Sequence, residues 1–480
     1  MKLNNSYQTL PADFYRKELP DKIAKPQLLQ FNQQLASELG FTKNYSDNEL
    51  AQIFCGNELL ANSKPIATAY AGHQFGQLVP QLGDGRAVLL GNLSNKKGKS
   101  FELQLKGSGR TTFSRSGDGK CPLGAAIKEY IFSEALHYLK VPTTRALALV
   151  NINEAIRRET FLPAAIVTRV ATSHIRVGTF EYFAYRQDTK NLKILADYTI
   201  NLLYPECTKY QNPYLQLLKK TLHAQAKLVS KWQALGFIHG VMNTDNTSLA
   251  AETIDYGPAA FMDQFNTDQV FSYIDQYGRY RYSNQPEIIL WNLGKFAESL
   301  LPLLNDNMDK AITLAEKTIN KFPQIFMKYY VPEMCQKLGI FNASKADLKL
   351  VQEFLAILEK EQLDFTNSFR NLSKILLDKA AQKPSKTMQD WQKKWLERLT
   401  QEIAAKEEIA KKLEKINPIL IPRNHYIEHI TQQAMFRQNY QPLNEFLELI
   451  KRPFNENTAA AKYYQAPTTQ QKVPHTFCGT

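Results

Sequence analysis

Apolar and polar positions change rhythm partway along this chain. From Leu78 to Leu105, "LVPQLGDGRAVLLGNLSNKKGKSFELQL" runs in short apolar stretches interrupted by the glycine-rich "GDG" and the polar "SNKKGK". That pattern predicts three consecutive antiparallel strands, the start of a small sheet region. From Pro122 the period lengthens: Ile127, Tyr130, Ile131, Ala135 and Tyr138 fall near one helical stripe behind Gly and Pro turn residues. "AAIVTRV" follows as a further strand candidate, with "TSHIRVGTFEYFA" beyond it. After Tyr198 the texture is helical, and "YLQLLKKTLHAQAKLVSKWQALG" keeps three-and-four spacing until Gly236, a helix-stop residue. From about Ile288 onward the chain is again mostly helical, with mixed-charge segments such as "EIAAKEEIAKKLEKINP" that read as solvated faces. The stretch from Asn455 to the end reads as a tail or loosely packed strap.

Length and composition narrow the classes. A chain of 480 residues that is 44% hydrophobic can bury a large core and predicts two or three units. No apolar run approaches the length of a membrane helix, and "MKLNNSYQTLPADFYRKELP" lacks the apolar centre of a signal peptide, so a cytoplasmic protein without membrane contact is expected. Cys55, Cys121, Cys207, Cys335 and Cys478 are scattered and odd in number, which suits a reducing compartment and indicates neither a zinc site nor a disulfide framework. The formal charge of +13 raises the question of polyanions. No nucleic-acid signature interleaves the basic residues, so direct binding of nucleic acid is not expected, whereas a nucleoside triphosphate pocket fits the same balance.

The chemistry concentrates in "FIHGVMNTDNTSLAAETIDYGP", Phe237 to Pro258, on the loop that leaves the helix at Gly236. His239, Asn246 and Asp255 follow the order of a kinase catalytic loop, its metal-binding Asn and a DFG-like metal-binding Asp. The position of the usual base holds Val241, and Asp245 is the nearby carboxylate able to replace it. Asn246 and Asp255 carry the hard oxygen donors that magnesium prefers, while an Asx-rich turn at "NTDN" is the plainer alternative. His239 reads as a structural hydrogen-bonder. Upstream, "GDGRAV" is either a phosphate cradle, with Gly83 and Gly85 admitting close backbone approach and Arg86 adding charge, or an ordinary hairpin turn. Lys106 ends the alternating "FELQLK", either solvated or paired with phosphate, and Glu129 beside the helical stripe could hold it. Arg169 and Arg176 are too costly to bury alone, so each is expected to meet an anion, from the protein or from a ligand. "RSGDGK", with Asp118 and Gly119, is a tight turn or a second phosphate-facing loop.

Taken with "AGHQFGQLVPQLGDGRA", "LQLKGSGRTTFSRSGDGK", "VPTTRALALV", "TRVATSHIRVGTFE" and "IPRNHYIEHI", these segments resemble the successive signatures of the selenoprotein O family, over roughly Tyr70 to Ile430. The resemblance implies an α+β, protein-kinase-like two-lobed fold, with a small mainly β lobe, a larger helical lobe, and N-terminal and C-terminal helical extensions. The corresponding division is 1–65 for an N-terminal extension, 66–190 for the β lobe, 191–330 for the helical lobe and 331–480 for the C-terminal extension. It further implies ATP bound in a flipped orientation, Mg2+ or Mn2+ dependence, and transfer of AMP to serine, threonine or tyrosine hydroxyls of proteins, with uridylyl transfer from UTP also within the family's range. On this resemblance Asp245 is the proton acceptor and Asn246 and Asp255 are metal ligands. Gly83, Gly85, Arg86, Lys106, Asp118, Gly119, Arg169 and Arg176 match nucleotide-binding positions, and Glu129 matches the glutamate paired with the lysine. Cys478 resembles the position of the family's selenocysteine. A redox partner acting through it and an inert tail thiol are both compatible with the sequence, and the segment "VFSYIDQYGRYRYSNQP" offers no cysteine to pair with it. Two other readings stay open: a conventional phosphotransferase, against which Val241 stands, and a non-catalytic ATP-binding pseudokinase.

Overall fold

The computed structural model describes residues 2–41, 43–379 and 384–477. The class is α+β. Twelve short to long strands occur among these residues: β1 (Tyr15–Lys17), β2 (Gln27–Phe31), β3 (Ile66–Thr68), β4 (Gly72–Gln74), β5 (Gln77–Val79), β6 (Ala87–Ser94), β7 (Ser100–Lys106), β8 (Cys121–Pro122), β9 (Arg145–Arg157), β10 (Phe161–Ala171), β11 (Phe237–Ile238) and β12 (Ala260–Phe261). Seven of them lie in one antiparallel sheet in the order β1-β3-β6-β7-β10-β9-β2, and β8 joins at β10.

This sheet is buried on both faces, which explains the nearly unbroken apolar runs of β6, β9 and β10. Val88, Leu90, Leu105, Val150 and Ile166 pack against Leu50, Ile53 and Phe54 of the N-terminal Asp47–Phe54 helix. On the other face Leu149, Ala165 and Val167 meet Ile127 and Ile131 of the Leu123–Tyr138 helix. That helix is the one anticipated from its stripe, and it carries Glu129.

Two expectations need correction, and one strand was missed. The stretch from Leu78 to Leu105 is not three consecutive paired strands: β6 and β7 form a hairpin, whereas β5 pairs with β4 in a separate two-stranded unit. Pro80 and the Gly83 backbone, at φ +125°, turn the chain away between them. The N-terminal segment is not only helical, because it supplies the strands at both sheet edges, β1 against β3 and β2 against β9. An exposed sheet edge offers unpaired N–H and C=O groups, and these short strands close it off. β9 was not anticipated, since "RALALVNINEAIR" buries side chains on both faces and shows no alternation to read.

The Pro213–Leu235 helix ends at Gly236 in the left-handed conformation, φ +67°, as its sequence suggested. β11 begins directly after it and pairs with β12, so Ile238 to Ala260 is a closed excursion pinned at both ends. The Asn424–Arg437 helix of "IPRNHYIEHI" packs back onto the Leu123–Tyr138 helix, where a Cβ at Gly124 would lie 2.9 Å from the Met435 sulfur. Arg423, which precedes it, is buried between Asp263 at 2.5 Å and Asp364 at 2.8 Å. No helix among the described residues is long and apolar enough to cross a membrane. Cys55, Cys121, Cys207 and Cys335 are buried free thiols, and Cys478 lies outside the described residues.

Candidate active site

A cleft of about 720 Å³ opens between the sheet and the excursion from Ile238 to Ala260, and the candidate nucleotide-binding, metal-binding and proton-accepting residues line it: Gly83, Gly85, Arg86, Lys106, Asp118, Gly119, Glu129, Arg169, Arg176, Asp245, Asn246 and Asp255. Its centre is a knot of charge. Lys106, at the end of β7, is only 6% exposed, so it is not a solvated strand-end lysine. Its Nζ donates to Glu129 Oε2 at 2.6 Å and to Asp255 Oδ1 at 2.8 Å. Arg169, on β10 beside β7, donates to Glu129 Oε1 and to Asp255 Oδ1. Arg176 approaches Asp255 Oδ2 at 3.3 Å, donates to the Asp245 carbonyl at 2.8 Å, and stacks over the Tyr70 ring at 4.7 Å. Both arginines therefore meet protein carboxylates, and both still face the cleft.

Burial works to raise the carboxyls of Asp255 and Glu129, but the cations outweigh it. Arg169, Lys106 and Arg176 hold Asp255 well below the usual carboxylate range, and Arg169 with Lys106 lowers Glu129. Asp255 also adopts φ +65°, a left-handed backbone that costs about 1–2 kcal/mol outside glycine and that clusters at functional sites. Arg86 contributes a further guanidinium to the wall, paired with no carboxylate among the described residues.

The second carboxylate is treated oppositely. Asp245 sits on a 3-10 turn (Thr244–Asn246), and burial pushes its carboxyl up to about 6, with a Gln74 hydrogen bond at 3.2 Å, the Arg176 charge and a backbone hydrogen bond opposing. Two acidic groups in one cleft with their proton affinities driven apart is an arrangement suited to acid–base work. Asn246 donates through Nδ2 to the Val241 carbonyl at 2.9 Å, which turns its Oδ1 outward as a potential ligand. His239 donates from Nε2 to the Ile254 carbonyl at 2.8 Å and is buried, the structural role expected of it.

The glycine-rich turns are both strained into place. A Cβ at Gly83 would meet the Phe113 ring at 2.4 Å and one at Gly119 the Gly109 carbonyl at 2.0 Å, so each turn needs its glycine whether or not it touches phosphate. Asp84 between Gly83 and Gly85 faces inward, accepting from Thr68 N at 3.0 Å and Oγ1 at 2.6 Å. Asp118 is engaged bidentately by Arg158 at 2.8 and 3.0 Å, and that hydrogen bonding lowers its carboxyl. Tyr70, Gln74 and Asn243 line the same cleft and were not singled out from the sequence. Gln74 and Asn243 lie within the quoted segments "AGHQFGQLVPQLGDGRA" and "FIHGVMNTDNTSLAAETIDYGP", and Tyr70 directly precedes the first, which is the one signal that could have pointed to them.

A cleft lined by a buried cation cluster, a raised carboxyl and two oxygen donors defines a nucleotide-handling enzyme, and comparison with known proteins makes the class specific. A family model described as protein adenylyltransferase SelO matches residues 1–451. Proteins named protein nucleotidyltransferase YdiU are similar over their whole length: 46% identity for that of Bradyrhizobium diazoefficiens (99% of this chain, 98% of the relative), and 44% for those of Clostridium botulinum strain Eklund 17B and Bacillus cereus strain G9842 (100% of this chain, 98% of the relative in each). The chain belongs to the SelO family of nucleotidyltransferases.

Proposed function

We propose that this protein transfers AMP from ATP to serine, threonine or tyrosine hydroxyls of other proteins, with UMP from UTP as a second donor chemistry. The observation that carries this reading is the division of labour between two carboxylates in one cleft: Asp255 is ion-paired with Lys106, Arg169 and Arg176, whereas Asp245 has no ion pair among the described residues and accepts from Gln74, which leaves it free to act as a base. In the proposed reaction Asp245 takes the hydroxyl proton as the acceptor oxygen forms its bond to the α-phosphorus. The bond from the α-phosphorus to the bridging oxygen breaks, and pyrophosphate leaves.

The cations suit the triphosphate. Lys106, held by Glu129, and Arg169, Arg176 and Arg86 would balance its charge, with the Gly83–Gly85 and Asp118–Gly119 turns along the cleft wall. Val241 in the usual base position favours nucleotidyl over phosphoryl transfer, because an ordinary kinase base is missing while Asp245 is displaced from its place. Asn246 through Oδ1, and Asp255 through Oδ2, which among the described residues accepts a hydrogen bond from Arg176 alone at 3.3 Å, fit a Mg2+ or Mn2+ ion that keeps water and phosphate oxygens as its other ligands. Such an ion would neutralise charge on the phosphates. The sheet region and the helical region around the cleft are read as a protein-kinase-like two-lobed arrangement, 66–190 and 191–330, flanked by extensions at 1–65 and 331–480.

Intact-mass analysis of the protein incubated with ATP and Mg2+ or Mn2+, and of candidate acceptor proteins added to it, tests this. An increment of one AMP that disappears in Asp255→Ala is the expected result. An increment of one phosphate would assign a phosphotransferase, and tight ATP binding with no product on any acceptor would assign a pseudokinase.

A further inference from the structure

The two-stranded unit β4–β5 is too small to hold itself together, and it packs not on the main sheet but on the loop that carries Asp245. Its contacts there are unusually dense. The His73 N–H donates to Thr244 Oγ1 at 2.6 Å, and the same hydroxyl donates to Glu181 Oε2 at 2.5 Å. Glu181 Oε1 in turn meets His73 Nδ1 at 2.5 Å, closing a ring of three residues, His73 through both its main chain and its imidazole, that includes Thr244, the residue preceding Asp245. The Phe75 N–H donates to Asn243 Oδ1 at 3.2 Å, and Tyr280 donates to that oxygen at 2.6 Å. Gln74 Nε2 donates to Asp245 Oδ2 at 3.2 Å. On the other side of the carboxylate, a Cβ at Gly72 would lie 2.4 Å from Oδ1, an oxygen that is buried and has no hydrogen-bond partner.

We propose that this hairpin is the positioning element of Asp245: the Gly72 backbone closes off Oδ1, Gln74 fixes the rotamer that turns Oδ2 to the acceptor hydroxyl, and the His73–Glu181–Thr244 ring holds the loop beneath. The inference rests on Asp245 being the base of the proposed reaction. Gln74, His73, Glu181 and Thr244 touch no reacting atom in this scheme; they act through the carboxylate. A carboxylate with one oxygen free to swing would present its lone pair in many directions, and a misplacement of about 1 Å can cost on the order of 100-fold in rate.

The test follows AMP incorporation from α-phosphate-labelled ATP with Mg2+, read as kcat, alongside calorimetric binding of ATP and thermal melting. Gln74→Leu is expected to lower kcat by about 10- to 100-fold while the ATP Kd stays within about twofold. Thr244→Val is expected to fall similarly, and Thr244→Ser, which keeps the hydroxyl, to recover most of the rate. Gly72→Ala should lose the rate as well; if it fails to fold, Gln74→Leu decides. Wild-type kcat in both Gln74→Leu and Thr244→Val, or loss of ATP binding together with kcat, overturns the positioning role while leaving AMP transfer intact. If the wild type transfers phosphate and not AMP, the functional reading fails and the same split of kcat from Kd on phosphate transfer decides the hairpin. A wild type that transfers neither overturns both.

Discussion

Two of the places where this molecule buries charge handle it differently. In the cleft, Lys106, Arg169 and Arg176 share Glu129 and Asp255, and the cluster faces an open volume of about 720 Å³. Elsewhere Arg423 is fully buried between Asp263 and Asp364, and Lys337 lies over the Phe369 ring at 4.2 Å with no ion pair among the described residues. Burial pushes the Lys337 amine down to about 7, the Glu333 charge opposing, so this lysine lessens its cost by giving up its proton. The lesson is that a buried cation alone says little about function. What separates the site from the scaffold is unspent positive charge aimed into solvent-accessible space.

Removing the hub of the cleft cluster should have the largest effect. Asp255→Ala leaves Lys106 and Arg169 sharing Glu129 and takes away the ion pair of Arg176, and AMP transfer is expected to vanish from the intact-mass spectrum together with metal-dependent ATP binding. If binding survives with transfer lost, Asp255 acts on the chemistry alone and the comparison with Arg423 weakens.

Asp245→Asn comes next. Transfer should fall about 100- to 10,000-fold, the usual range for a lost general base, while calorimetry finds ATP still bound. Equal loss of binding and rate would mean that Asp245 belongs to the charge cluster after all.

On the scaffold side, Arg423→Met should leave nucleotide chemistry to be read only through stability. Asp263 and Asp364 would be stranded, at a cost of about 3–5 kcal/mol by denaturant unfolding. A loss of transfer in a variant that remains folded would show that the "IPRNHYIEHI" helix, through its packing on the Glu129 helix, belongs to the active machinery.

The smallest effect is a pH dependence at Lys337. Its folded value lies below that of the unfolded chain, so the unfolded state binds more protons between about 7 and 10.5 and stability from this group rises with pH across that window. Lys337→Met should therefore be more stable than the wild type, most clearly below about pH 7, with the gap closing toward pH 10.5. Thermal melts of both proteins at several pH values check this, and a gap that does not change with pH would show that the amine stays charged.

Much of the cleft was readable in the chain because its parts sit in local motifs. Lys106 at a strand end, Glu129 beside a helical stripe, a helix stop at Gly236 and the spacing of His239, Asn246 and Asp255 are short-range signals, and the cleft collects Lys106, Glu129, Asn246 and Asp255. The β4–β5 hairpin was not readable: its bonds to Thr244 and Asp245 join residues 171 positions apart, and nothing in the period of "AGHQFGQLV" points to that loop. β9 escaped because a strand buried on both faces loses the alternation that marks strands.

The chain's own pattern thus established where helices run and stop, which turns demand glycine, and which residues carry oxygen donors and positive charge. Folding alone set the proton affinities of Asp245 and Asp255, the choice of carboxylates for Arg169 and Arg176, and the hydrogen bonds of β4–β5 to Thr244 and Asp245. Backbone preferences and periodicity act over a few neighbouring residues, whereas desolvation and Coulomb energy depend on distances between segments that only the packed molecule brings within a few ångströms.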